Sequence, residues 1–316
     1  MRLATIDLGT NTVRLLVVDV QPERRWTVVA EDQQITRLGA GLAASGALGE
    51  EPMARTSAVV STYADRARGL GVEAVRIVAT SAVREASNGR AFAATLEART
   101  GRPVEIVSGA DEARLTLFGV SRGLGGLPGL TLLVDIGGGS TEYVLARDGS
   151  AVDAVSLRLG VVPLAERFPF PDRVEWFRYG ELARHVAERL ARELPPAIVA
   201  RPPDRFVGTA GTATTLAALD LALARYDPAR VQGHVVPRAA IDRLLARLGA
   251  LSVRERAALP CLEPGRADVI IPGIAIVQAT MDRVGADALV VSDWGLREGI
   301  LVAAVEGSAD ASHAAP

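Results

Sequence analysis

The chain has 316 residues, 49% of them apolar, and a formal net charge of −2. That length buries a sizeable core and suggests about two domains, while the near-neutral charge argues against a general nucleic-acid or membrane-surface binder. Aromatics at 4% leave few platforms for base stacking, so a compact anionic ligand, which needs only a local set of donors, is the partner class left open. The first segment, RLATIDLGTNTVRLLVVDV, reads as strand, tight turn, strand, with a third strand over Trp26–Ala30. Apolar spacing predicts a helix over Glu51–Leu70, stopped by Gly69 and Gly71. EAVRIVAT is a buried strand; a helix from Arg84 to Thr100, a short strand PVEIVS and a helix over Ala110–Val120 follow. SRGLGGLPGL (Ser121–Leu130), dense in glycine, reads as a linker.

After it the pattern restarts: TLLVDI as strand, GGGS as turn, TEYVLA as strand and AVDAVSLRL as a third strand. A helix is expected over Trp176–Ala200, then a strand RFVG and a helix opening at GTAGTATTLAAL. Helices over Arg238–Leu248 and Ala267–Val284, a strand ALVVS and a final helix WGLREGILVAAV complete the reading, with a small, polar, fraying tail from Ser308. The restart is an internal repeat: TIDLGTNTVRLLV and LVDIGGGSTEYVLA share apolar strand, Asp, apolar residue, Gly, small polar turn and strand, with Asp7 and Asp135 placed 128 positions apart (135 − 7). The repeat implies an α/β fold of two pseudo-symmetric domains, 1–124 and 125–308, with a ligand-binding cleft between them and residues 309–316 as a flexible tail.

Several chemistries are excluded by composition. No lysine occurs, which removes Schiff-base catalysis and the lysine-bearing P-loop as explanations for a glycine-rich turn. One cysteine, Cys261, leaves no disulfide framework and no thiolate zinc site, and His185, His234 and His313 lack ligand spacing. MRLATIDLGTN has no apolar signal core and no run approaches membrane-spanning length, so a soluble cytoplasmic protein is expected.

The two turns carry the chemistry. Glycine lets backbone N–H groups approach an anion, and consecutive N–H groups form an anion nest. A single such turn reads as an ordinary hairpin; two matched turns facing across a cleft read as bared, anion-binding backbone, with Asp7 and Asp135 at the strand ends suited to orient water or a metal. VGTAGTATT adds a third glycine-rich element at a helix start, where N–H and hydroxyl donors meet the positive end of the dipole, although a plain strand-to-helix cap looks alike.

These three elements resemble the phosphate and binding loops of the actin, sugar-kinase and heat-shock-ATPase superfamily. Six segments sharpen the match: ATSAVREASN, SGADEARLTLFGV, VDIGGGSTE, SLRLGVVPLAERF, GTAGTATTLAAL and SDWGLREGIL. In this order they resemble the exopolyphosphatase and guanosine pentaphosphate phosphohydrolase family over residues 1–306. The resemblance implies actin-like (ribonuclease H-like) halves and Mg²⁺-dependent hydrolysis of a terminal phosphate from inorganic polyphosphate or guanosine pentaphosphate. Glu112 in GADEAR matches the family's catalytic glutamate, with Asp111 in place of a first glutamate. Asp135 and Glu142 resemble its catalytic, Mg²⁺-associated carboxylates. Asp7, Gly9, Thr10, Asn11, Arg14, Arg84, Gly137, Gly138, Gly139, Ser140, Gly211 and Thr212 are the expected phosphate-binding set; Arg297 matches less clearly and is equally suited to pair with Glu298. Members of the family are often homodimers. Longer members carry a further helical, metal-dependent-phosphohydrolase-like domain; here no HD pair follows the second half, as in the short two-domain members.

Polyphosphate and guanosine pentaphosphate present the same terminal phosphoanhydride, so the sequence does not separate them. A non-catalytic sensor would keep the glycine loops and lose Glu112, Asp135 and Glu142 together. A kinase on the same fold would need an acceptor-binding aspartate and an adenosine pocket, and would pass phosphate to that acceptor rather than to water.

Overall fold

A computed structural model of the chain describes residues 1–21 and 25–313; residues 314–316, the end of the expected tail, lie outside the described residues. The chain divides into two units, Met1–Gly119 with Leu296–Pro316, and Val120–Gly295. No helix among the described residues is long and apolar enough to cross a membrane.

The first unit begins with three strands, β1 (Arg2–Leu8), β2 (Thr12–Val20) and β3 (Trp26–Ile35). Helices α1 (Leu42–Ser45) and α2 (Glu50–Gly69) lead to β4 (Ala74–Ala79); α3 (Ser81–Glu85), α4 (Gly89–Thr100), β5 (Val104–Ile106) and α5 (Gly109–Gly123) follow. The sheet order is β3-β2-β1-β4-β5, with β1–β2–β3 antiparallel and β1, β4 and β5 parallel. Alternation along the first hairpin sets the layers. Ala4, Ile6, Leu8, Val13, Leu15 and Val17 pack on one face with Val60 and Tyr63 of α2 and Phe92 and Leu96 of α4. On the other face Leu3, Leu16 and Val18 pack with Leu301 and Val305 of the last helix, Leu296–His313. The first unit runs to Gly119 and takes in the last helix, where the sequence reading drew the boundary at 124 and placed that helix with the second half.

Two expected elements change shape. The helix expected over Arg84–Thr100 is two helices, because Ala86 is extended (φ −77°, ψ 138°). Asn88 then holds Leu48, accepting from its N–H at 2.8 Å and donating to its carbonyl at 2.9 Å. The third strand runs on to Ile35 as an edge strand whose residues are largely exposed.

The second unit repeats the plan with β6 (Leu130–Ile136), β7 (Thr141–Arg147) and β8 (Ser150–Leu157). Then come α6 (Val161–Arg167), α7 (Trp176–Glu193), α8 (Pro196–Val199), β9 (Arg205–Thr209) and α9 (Ala210–Asp220). Next are α10 (Pro228–Val231), β10 (Val235–Pro237), α11 (Arg238–Gly249), α12 (Val253–Ala257), α13 (Ile270–Val284) and β11 (Ala288–Val291), before the last helix, α14 (Leu296–His313). The sheet order β10-β11-β9-β6-β7-β8 contains the first unit's order in reverse listing, with β10 added at one edge. This is the α/β, actin-like pair of halves expected. The helix expected over Trp176–Ala200 breaks because Leu194 is extended and two prolines follow, which cannot continue an α7 ladder. Leu182, Val186 and Leu190 of α7 pack with Ile241, Leu248, Ile271 and Ile274 of α11 and α13.

One arginine is part of this core. Arg256 of α12 is 0% exposed, and its guanidinium donates to three carbonyls: Leu248 at 2.8 Å, Phe170 at 3.0 Å and Asp172 at 3.2 Å. It ties the end of α11 to the loop before α7. Burial pulls its pKa down, yet an arginine stays charged.

Candidate functional site

In each unit the parallel strands end at the same edge of the sheet, the position where open α/β sheets bind ligands. In the first unit β1 ends in Asp7 and the turn Gly9–Thr10–Asn11, β4 leads into α3 with Arg84, and α5 opens with Glu112. Asp7 is opposite Arg14 on β2, with the guanidinium 3.6 Å from the carboxylate. The turn is closed by Gly9 N–H donating to the Thr12 carbonyl at 3.0 Å. Its carbonyls are tied back: Gly39 N–H donates to Thr10, and Thr36 and Arg37 N–H donate to Asn11. Thr10 Oγ1 and Asn11 Oδ1 are buried without a hydrogen-bond partner among the described residues. A ligand at the turn would supply what they lack, and an inverted Asn11 amide would offer an anion its NH₂.

Arg84 and Glu112, 28 residues apart, meet: Arg84 Nη1 donates to Glu112 Oε2 at 2.8 Å and to the Val107 carbonyl at 3.0 Å, and Nε donates to Glu85 at 3.3 Å. Glu112 is buried (7% exposed) on the first turn of α5. The sequence reading singled out both residues but not their contact, which makes Arg84 the orienting partner of the glutamate. Arg297 lies with Glu298 at 2.8 Å, and it also reaches Glu31 and the Leu15 carbonyl, the structural pairing considered for it.

The second unit has the same turn. Gly137 N–H donates to the Ser140 carbonyl at 3.0 Å, and Ile136 pairs with Thr141 as Leu8 pairs with Val13. A Cβ on Gly137 would stand 3.0 Å from that carbonyl oxygen, tighter than side chains ordinarily pack, and the same holds for Gly9 and Thr12. None of Gly9, Gly137, Gly138 and Gly139 has a left-handed φ, so glycine supplies room here rather than an unusual backbone angle. The first amides of α6 fix the orientation: Val161 N–H donates to Gly137 at 3.1 Å and Val162 N–H to Gly138 at 2.8 Å. In a trans peptide the N–H points opposite its carbonyl, so the N–H groups of Gly138 and Gly139 point away from α6, as an anion nest requires.

Beside the turn, four side chains share one row across adjacent strands: Thr209, Asp135, Glu142 and Ser156. Asp135 (9% exposed) and Glu142 (1%) are direct cross-strand neighbours. In the first unit the place of Glu142 is taken by Arg14, each lying seven residues after its aspartate (142 − 135 and 14 − 7). The first row therefore pairs opposite charges, while the second sets like charges side by side, a destabilising arrangement that a bound divalent cation would offset. Among the described residues no three His, Cys, Asp or Glu side chains form a metal cluster. A two-carboxylate site completed by water and substrate phosphate oxygens is the coordination Mg²⁺ favours, so the donor set fits that ion.

At the third element, the Gly211 backbone lies under Arg266, whose guanidinium carbon is 2.8 Å from where a Cβ would stand. Arg266 also pairs with Glu263 at 3.3 Å. The Thr212 side chain is buried against Gly273 of α13, which leaves its backbone N–H at the helix start as its group for a ligand. Nearby, the Tyr226 hydroxyl donates to Asp293. Arg266 was not singled out from sequence; one arginine in a Pro-Gly-Arg turn gives no periodic or motif signal.

Comparison with known proteins places these observations. The Ppx/GppA phosphatase family matches residues 16–307. Exopolyphosphatase 2 of Mycobacterium tuberculosis is 37% identical over 313 residues, covering 95% of this chain and 97% of that protein. The crystal structure of the Aquifex aeolicus member of the Ppx/GppA family is 33% identical, with a TM-score of 0.82 and 98% of each chain covered. An exopolyphosphatase structure from Cytophaga hutchinsonii is 27% identical with a TM-score of 0.90, covering 97% of this chain and 98% of that one.

Proposed function

Because this chain belongs to the Ppx/GppA phosphatase family, we propose that it is an exopolyphosphatase, a phosphoanhydride hydrolase that releases orthophosphate from the end of inorganic polyphosphate. The observation that carries this is the GGGS turn, whose carbonyls are held by α6 so that two successive N–H groups face outward beside paired carboxylates. In phosphoryl transfer the protein mostly positions groups and offsets charge. Gly138, Gly139 and Ser140 hold the terminal phosphate, with Gly137 closing the turn. Asp7, Gly9, Thr10, Asn11 and Arg14 supply the first unit's grip, and Gly211 and Thr212 add backbone donors. Asp135 and Glu142 would hold Mg²⁺, which would supply charge neutralisation of the phosphate oxygens. Glu112, oriented by Arg84, takes the proton of the attacking water. We assign the protein to the cytoplasm, in keeping with its one cysteine, a free Cys261, and expect a homodimer, to be checked by light scattering.

Purified protein incubated with Mg²⁺ and, separately, short polyphosphate, long polyphosphate and guanosine pentaphosphate tests the reading. Release of orthophosphate from polyphosphate, abolished by a chelator, is expected. Faster release from guanosine pentaphosphate would make the nucleotide the substrate, and no release from any of the three would overturn the reading. Gly138→Val is expected to raise KM about tenfold or more by placing a branched side chain over the outward amides, roughly the loss of one phosphate hydrogen bond; an unchanged KM would remove the turn from the site.

A further inference from the structure

The motif SLRLGVV, Ser156–Val162, has no role in the reading above beyond the two amides that hold the glycine turn, yet the structure gives each end of it one task. At its far end Gly160 abuts the turn: a Cβ there would stand within 2.5 Å of the Gly138 carbonyl carbon and nearer still to its oxygen, so any side chain would push the turn out of shape. In between, the Leu159 carbonyl accepts from Thr141 Oγ1 at 2.6 Å, fixing the segment to the first residue of β7. At its near end Ser156 is the cross-strand neighbour of Glu142, and its hydroxyl donates to Glu142 Oε1 at 2.6 Å. Ser156 thus closes the row that runs Thr209, Asp135, Glu142, Ser156.

We propose that Ser156 is a positioning residue: its hydroxyl holds the Glu142 carboxylate at a fixed orientation next to Asp135, and through it sets the affinity for the divalent cation. The inference rests on the assignment of Asp135 and Glu142 as the cation-holding pair. A glutamate has three side-chain torsions; left free, it must be ordered when the cation binds, whereas a short hydrogen bond from a partner fixed on the neighbouring strand orders it beforehand. Hydrogen-bond partners of ligating carboxylates typically govern metal affinity by about 10- to 100-fold. The hydroxyl, rather than the volume of the side chain, is the active feature.

The test uses the whole protein and two substitutions, Ser156→Ala and Ser156→Thr, with Mn²⁺ as probe, its free fraction counted by electron paramagnetic resonance in the absence of substrate. Ser156→Ala is expected to weaken Mn²⁺ binding about tenfold and to raise the half-activating Mg²⁺ concentration by a similar factor, with kcat at saturating Mg²⁺ changing less than the affinity. Ser156→Thr, which keeps the hydroxyl, is expected to restore both. Unchanged cation affinity in Ser156→Ala would overturn the proposal, as would a threonine variant no better than alanine. Glu142→Gln that binds Mn²⁺ as tightly as the parent would overturn the cation assignment and the proposal with it. A parent protein that releases no orthophosphate, yet binds Mn²⁺ in a Ser156-dependent way, would overturn the hydrolase reading alone and support the role of Ser156.

Discussion

Glu112→Gln is expected to lower kcat for orthophosphate release by about 10²-fold or more, the range general-base catalysis contributes, while KM changes by less than about threefold. The amide keeps the volume of the carboxylate and its oxygen can still accept from Arg84, which lies at 2.8 Å in the parent, so the start of α5 should keep its shape. What is lost is the capacity to take a proton from water. Thermal unfolding followed by circular dichroism should be nearly unchanged, which separates a chemical effect from a structural one. Arg84→Ala supplies the contrast: it removes the orienting partner and leaves the carboxylate, so it should reduce kcat less steeply than Glu112→Gln and leave a proton acceptor in place. Turnover within twofold of the parent in Glu112→Gln would take the base role away from this residue.

Arg256→Leu is expected to destabilise the second unit by about 3–5 kcal/mol, a fall in Tm of roughly 10 °C for a unit of this size. Leucine fills much of the space but offers no donor, so the carbonyls of Leu248, Phe170 and Asp172 would lose charge-assisted bonds inside the protein. Arg256→Lys keeps the charge on a single nitrogen that cannot reproduce a planar three-way fork, so it should recover only part of the loss. No partner of Arg256 belongs to the phosphate-binding set, hence kcat of the folded protein at low temperature should be unchanged. A leucine variant melting within about 2 °C of the parent would show that these carbonyls find water without cost.

The difference between these two residues marks how far the sequence could be read. The paired turns were legible because everything that makes them is local: an alternating strand, an aspartate, a glycine and a second strand, repeated at Asp7 and Asp135. The individual residues proposed for the site were chosen for the same reason, each lying in its own short motif. Contacts between motifs were not. The Arg84–Glu112 bond joins residues 28 apart, and the Ser156–Glu142 bond depends on strand register rather than on neighbouring letters. Arg256 and Arg266 are indistinguishable by composition from the other arginines, all the basic residues being arginine. Elements failed where an irregular backbone interrupts a continuing apolar pattern, as at Ala86, or where polar residues such as Glu31 and Gln33 continue an exposed edge strand beyond Ala30. The supposed linker also begins inside α5, which runs through Gly123 before the glycines take over.

The placement of α14 has a consequence for how the chain is made. Residues of the second unit form one uninterrupted stretch, whereas the first unit needs Leu301 and Val305 to cover Leu3, Leu16 and Val18. On a ribosome the first unit therefore emerges before the second but is completed only after the second has been made. Its sheet waits, one apolar face uncovered, through the synthesis of everything up to β11, and this is the interval in which a nascent chain is exposed to misassembly and most depends on chaperones.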